Sequence, residues 1–305
     1  MRIMSYRLGI NTGFALNRFS EPEEWTRICG EELGVKYIQF TADMLNPYLP
    51  KKIIESNVER IVNSCNKYNL IINSTFTGAF TRVNHLAHPD SDIRNYWIDW
   101  FKKFIDISVK LGANSMGSHF GIFTAKDNNN SNDRLKRRQQ NIDSWHLISE
   151  YALHKGLDYL SWEPMSISRE QGETIEECRN LHKDVNNGSS LPFKLCLDVD
   201  HGDLSSGNTD DTNPYIWIDE FSDDTAQIHL KQSSKDKGGH WPFIEEYNKV
   251  GKIQADKIIK SLEKNDISDI DLILELSFRE RQPTDNNVIP YLVESVNYWR
   301  PHIIN

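Results

Sequence analysis

Glu163, Asp198, His229 and Glu275 each stand at the end of a short apolar run: LDYLSWE at 157–163, FKLCLD at 193–198, AQIH at 226–229 and DLILE at 271–275. Three carboxylates and one imidazole form the oxygen-rich donor set that a hard-to-borderline divalent cation takes. One such ion, Mn²⁺ first and Mg²⁺, Co²⁺ or Zn²⁺ after it, would keep positions open for two substrate oxygens. A ketose offers a suitable pair in its carbonyl and the adjacent hydroxyl. Polarising that carbonyl acidifies the neighbouring C–H and favours an enediolate. A carboxylate beside the carbon can take the proton, and a second on the opposite face can return one. Glu163 and Glu275 are the expected catalytic pair, acting as acid and base while also serving as ligands. Taken singly, any of these carboxylates could cap a helix instead. Their recurrence at intervals of 35, 31 and 46 residues carries the reading.

Those intervals require strands that end on the same side of the molecule. Strand-type runs fall at 7–11, 36–41, 69–76, 114–120, 157–163, 193–198, 226–231 and 271–276. Amphipathic stretches near 21–33, 51–68, 91–111, 133–155, 173–186, 214–221, 254–265 and 286–299 separate them. Ser20-Glu-Pro-Glu-Glu and Pro89-Asp90-Ser91 read as helix starts, and Gly112 and Asn187-Gly188 as helix exits. Eight strand–helix units in alternation imply parallel strands joined by right-handed crossovers. The count, and the lack of a glycine-rich phosphate loop after the first strand, predict a closed (β/α)₈ TIM barrel spanning residues 1–305 as one domain. Active sites in that architecture lie beyond the C-terminal ends of the strands, where the four ligands fall. The run 128–132 (NNNSN) reads as a solvated loop.

Further candidates sit near the ligands. His201 follows Asp198 by three residues and is expected to meet a substrate hydroxyl, with Asp200 supporting the ligand shell. His119, between Gly117 and Gly121, is expected to line the pocket, and Phe40 and Phe76 either wall it or pack in the core. The loops after the third, sixth and seventh strands are long, as substrate-contacting loops often are. Cations follow three of the ligands: Arg169 after Glu163; Lys231, Lys235 and Lys237 after His229; Arg279 and Arg281 after Glu275. Together they would make an anion site, with Arg169, Lys231 and Arg279 as its expected substrate-binding members.

The net charge of −9 argues against a nucleic-acid partner, whose phosphates need a basic surface. No apolar stretch approaches the ~20 residues that cross a bilayer, so no membrane partner is expected. The N-terminus carries no secretory apolar core. Cys29, Cys65, Cys178 and Cys196 are scattered without a CxxC and read as reduced, which places the expected location in the cytoplasm. A homodimer or homotetramer is the expected assembly on the base rate of closed symmetry.

With SWEPMS, LDVDHGD, IHLKQ and LILELSF in place, the chain resembles the xylose isomerase-like TIM-barrel superfamily of sugar isomerases and epimerases over nearly its whole length. Among its members it is most similar to ketose 3-epimerases. In these, Glu, Asp, His and Glu from four strands hold the metal, and the two Glu are the acid/base pair. The resemblance implies the same roles for Glu163, Asp198, His229 and Glu275, and a substrate contact for His201. Epimerases of free ketoses carry a substrate-binding Glu one turn after the first metal Glu, where this chain has Arg169. That departure, and the likeness of SWEPMSISRE to tetrulose-phosphate epimerases, imply a ketose phosphate as substrate, erythrulose phosphate being the sharpest expectation. A sugar dehydratase on the same metal site, an endonuclease IV-like nuclease and a non-catalytic carbohydrate-binding barrel are the alternative readings.

Overall fold

The structure, a computed structural model, describes residues 5–234, 238–279 and 284–303. Eight parallel strands close into a barrel in sequence order. They are β1 Ser5–Asn11, β2 Tyr37–Thr41, β3 Ile71–Phe76, β4 Ser115–His119, β5 Tyr159–Glu163, β6 Phe193–Asp198, β7 Thr225–Leu230 and β8 Asp269–Leu274. The ring closes between β1 and β8, where Ser5 pairs with Asp269 and Ile10 with Leu274. The outer helices are α1 Pro22–Arg27, α2 Lys51–Lys67, α3 Ser91–Lys110, α4 Ser131–Lys155, α5 Ile175–Asn186, α6 Pro214–Glu220, α7 Ala255–Lys264 and α8 Thr284–Ile303. Every strand and helix expected from the sequence is present.

Differences are confined to ends and loops. The first helix is capped at Glu21 with Pro22 at its first turn, without the Ser20 cap. The asparagine run does more than fill a loop: Asn130 accepts from the amides of Asn132 and Asp133 and so starts α4. Gly112 (φ +83°) and Gly188 (φ +92°) do end their helices in the left-handed region that glycine adopts without strain. Two short helices, Ala125–Asn128 and Glu245–Asn248, lie in catalytic-face loops.

Strand alternation explains both the core and the site. Side chains two apart on a strand share a face. Leu160 and Trp162, Leu195 and Leu197, Ile228 and Leu230, and Leu272 and Leu274 face outward and are buried under the helices. Ser161 and Glu163, Cys196 and Asp198, Gln227 and His229 occupy the opposite phase, with Cys196 beside Gln227 and Asp198 beside His229 in register. The barrel interior is consequently polar, with Gln39 and Ser161 both hydrogen-bonded to Gln227. Phe40 is fully buried against Trp25 in the outer core and does not wall the pocket. All four cysteines are free and buried. Among the described residues no helix is long and apolar enough to cross a membrane.

Candidate active site

The inward phase delivers the four expected ligands to one point above the barrel. Glu163 ends β5, Asp198 ends β6, His229 lies on β7, and Glu275 is the first residue past β8. One donor atom from each lies within 4.8 Å of all the others. Ligands at about 2.0–2.2 Å from a common ion stand up to about 4.4 Å apart, so a small inward adjustment closes the shell. His229 Nδ1 lies 3.2 Å from Glu163 Oε1 and 3.6 Å from Glu275 Oε2.

The imidazole is held from behind. Gln39 Oε1 accepts from Asn11 Nδ2 at 2.7 Å and from His229 Nε2 at 2.8 Å. With its proton fixed on Nε2, neutral His229 aims the Nδ1 lone pair at two carboxylates. Phe76 packs edge-on against the ring at 5.1 Å. The Asp200 backbone amide donates to Asp198 Oδ1 at 2.8 Å. Partners of this kind orient ligands and tune their basicity.

Charge accounting favours a divalent cation. Lys231, two residues beyond His229 and in the same inward phase, is 1% exposed and paired with Asp198, and it reaches Glu275 at 3.3 Å. Burial disfavours its ammonium, but Asp198, Glu275 and Glu163 outweigh that and keep it charged. One ammonium against three carboxylates leaves two negative charges and the His229 lone pair, the complement of one divalent ion. Burial works against an imidazolium at His229, yet Cys196, Glu275 and Glu163 hold its pKa well above the usual value. Burial likewise opposes the Asp198 carboxylate, and His201, Lys231 and His229 more than compensate, holding it below the ordinary range. Glu275 is also held low, with His229, Lys231 and His240 outweighing burial.

His201 Nδ1 donates to the Pro164 carbonyl at 2.9 Å, which turns Nε2 toward the site, 3.6 Å from Asp198 Oδ2. His240, missed as a site residue by sequence reasoning, reaches Glu275 at 3.5 Å. It arrives because Gln232 and Trp241 pair antiparallel and fold the loop after β7 back over Lys231.

The cations behave differently from expectation. Arg169 donates to the Phe123 carbonyl at 3.2 Å and lines neither cavity above the ligands, because its loop is tied to the 120s loop on both sides. It is not placed to bind substrate. Lys231 belongs to the ligand cluster, and Arg279 sits exposed on the rim of the outer cavity. Lys235, Lys237 and Arg281 lie outside the described residues. His119 lines the inner cavity, but both its ring nitrogens are already bonded, to His85 and to the Thr81 carbonyl. Asn11, Gln39, Asp43 and Arg82 were not anticipated. Asn11 and Gln39 had a readable signal, since polar residues in the inward phase of β1 and β2 must face the barrel axis.

Residues 30–300 match the xylose isomerase-like TIM-barrel model. The chain belongs to that family. A curated D-erythrulose 1-phosphate 3-epimerase of Brucella abortus (strain 2308) is 40% identical over 301 residues, covering 98% of this chain and 97% of the relative. Among solved structures, a candidate xylose isomerase from Rhodospirillum rubrum ATCC 11170 superposes with a TM-score of 0.89 at 23% identity, covering 97% of this chain and 99% of that one. D-psicose 3-epimerase of Clostridium cellulolyticum H10, crystallised with D-tagatose, gives 0.70 at 13% identity, covering 97% and 99%. The two solved structures share the barrel fold, and the 40% identical relative bears out the likeness to ketose 3-epimerases read from the motifs.

Proposed function

We propose that the protein is a divalent-metal-dependent 3-epimerase of a short ketose 1-phosphate, with a tetrulose phosphate as substrate. The observation that carries the reading is the convergence of Glu163 and Glu275, from strands three apart, on one point beside His229. The 40% identical relative, named for erythrulose 1-phosphate, supports the substrate class. Glu163, Asp198, His229 and Glu275 would hold the ion, Mn²⁺ by preference for an oxygen-rich set. When bound, it would supply Lewis acidity at the substrate C2 carbonyl.

The protein groups do the proton work. One glutamate takes the C3 proton from its face, and the other delivers a proton to the opposite face of the planar carbon. The roles exchange in the reverse direction. His201 Nε2 would accept a hydrogen bond from a substrate hydroxyl, while the Lys231 ammonium holds Asp198 and Glu275. Reduced, buried cysteines support a cytoplasmic setting.

A 1-phosphotetrulose has C3 as its one stereocentre, so substrate and product are mirror images and the equilibrium constant is unity by symmetry. The test is polarimetric. Mn²⁺-loaded enzyme given D-erythrulose 1-phosphate should drive the optical rotation to zero without consuming the ketose. Rotation that stays constant, with the metal site shown to be filled, would sink the assignment.

A further inference from the structure

Two cavities meet above the ligand cluster. The inner one, about 300 Å³, contains Glu163, Glu275 and Phe76; the outer, about 980 Å³, extends over the loops after β6 and β7. Five residues line both and so form the neck between them: Arg82, His201, Lys231, His240 and Ser277. All five can donate a hydrogen bond and none is acidic. In a chain of net charge −9, directly above three carboxylates, such a ring suits an anion held clear of the reacting carbon.

We propose that this neck holds the substrate phosphate, that Arg82 is the residue that recognises it, and that His119 positions Arg82. The inference rests on the reading of a phosphorylated substrate given above. Three of the other four neck donors are committed. Lys231 serves Asp198 and Glu275. His201 donates to Pro164, and His240 stands against Lys231 and Glu275. Among the described residues Arg82 is anchored at one corner only, by Nη2 to the buried Glu170 at 2.6 Å, and its side chain is 53% exposed. A guanidinium fixed at one corner keeps its remaining N–H groups for a second, bidentate acceptor. The two mirror-image forms of a tetrulose phosphate differ only around C3. A grip on the phosphate therefore keeps either hand in register between Glu163 and Glu275.

Arg82 is delivered by a directional chain of hydrogen bonds. The Leu86 amide donates to His85 Nδ1 at 2.6 Å, so the His85 proton is on Nε2. It points to His119 Nδ1 at 3.2 Å, which puts the His119 proton on Nε2, donating to the Thr81 carbonyl at 2.9 Å. Thr81 is the residue before Arg82. The Thr81 hydroxyl also closes a turn on Gly78, accepting from its amide at 3.1 Å and donating to its carbonyl at 2.8 Å. His85 holds a φ of +30°, uncommon for a residue other than glycine, within this hydrogen-bonded turn. The loop after β3 is thus bolted to β4 one residue from the guanidinium.

The experiment compares kcat/KM for a tetrulose 1-phosphate and for the free tetrulose, and measures inorganic phosphate binding by calorimetry, on the Mn²⁺-loaded enzyme. Arg82→Ala should lower kcat/KM for the ester by about 10- to 100-fold, mainly through KM, and the free tetrulose far less. Phosphate binding should weaken in step. Arg82→Lys should recover part of the loss, because an ammonium cannot reproduce the bidentate fork. His119→Ala should raise KM for the ester in the same sense. His119→Gln, whose amide can again donate toward Thr81, should restore it, whereas a purely structural role would depress kcat on both substrates alike. Equal losses on both substrates, or unchanged phosphate binding in Arg82→Ala, would overturn the assignment. If the wild type binds phosphate through Arg82 but turns over no tetrulose phosphate, the substrate reading fails and the neck stands. If it turns over the ester and Arg82→Ala matches it, the neck fails and the substrate reading stands.

Discussion

The two ends of the barrel interior both bury acid, and they resolve it in opposite ways. At the N-terminal end Arg7 pairs with both Asp269 and Asp271, and Asn73 donates a further hydrogen bond to Asp271. Asp271 is fully buried, and burial raises its pKa while Arg7 pulls it back. Its charge is answered within the protein. At the C-terminal end three carboxylates face one lysine and the lone pair of a histidine, and the protein leaves the balance to be made from outside. A barrel can place acid at either end, but only the end left short of positive charge is equipped to bind an ion.

That contrast is broken most strongly at the glutamates. Glu163→Gln and Glu275→Gln should each lower turnover by about 10²- to 10⁴-fold, measured on variants whose circular dichroism shows the wild-type fold. Turnover within a few-fold of wild type would remove that residue from the acid/base pair. The mirror experiment is Arg7→Ala, which strands a buried carboxylate and should cost about 3–5 kcal/mol of stability while sparing KM. The stranded Asp271 has its folded pKa raised above the unfolded value, so its contribution is favourable below the unfolded pKa and is lost as pH rises through the folded one. The melting-temperature gap between Arg7→Ala and wild type should therefore narrow as pH falls from neutral toward the ordinary carboxylate range.

Metal removal probes the same asymmetry more gently. An ion held at 100 times its Kd stabilises the fold by about 2.7 kcal/mol, so chelation should lower the melting temperature reversibly, in Arg7→Ala as in wild type. An unchanged melting curve after chelation would contradict a site built for an ion. The smallest effect is expected behind the ligands. Gln39→Ala removes the acceptor that fixes the His229 tautomer and should weaken metal affinity by about 10- to 100-fold by isothermal titration.

The sequence made the barrel legible because apolar strand-type runs alternate with amphipathic stretches, and four of those runs end on a carboxylate or an imidazole. The four ligands were legible for the same reason. The cations were not, and the failures are instructive. Lys231 closes a strand-type run and was expected to meet substrate, yet period-two alternation from His229 turns it inward to the ligands. Arg169 looked well placed in sequence, but its loop is tied to the Phe123 backbone, a contact across 46 residues that no local pattern foretells, and this holds it away from both cavities. Arg82 was passed over because it follows a strand that ends on no ligand. Only the folded loop, pinned by His85 and His119, brings it over the cavity.

The central claim is that two glutamates on opposite faces exchange a proton at C3, and hydrogen exchange tests it most directly. Metal-loaded enzyme should incorporate one deuterium from D₂O at C3 of erythrulose 1-phosphate, starting from either hand. In Glu163→Gln or Glu275→Gln with the metal site filled, exchange should survive from one hand only, each variant sparing a different one, while interconversion stops. Interconversion without deuterium at C3, or both variants sparing the same hand, would contradict the account.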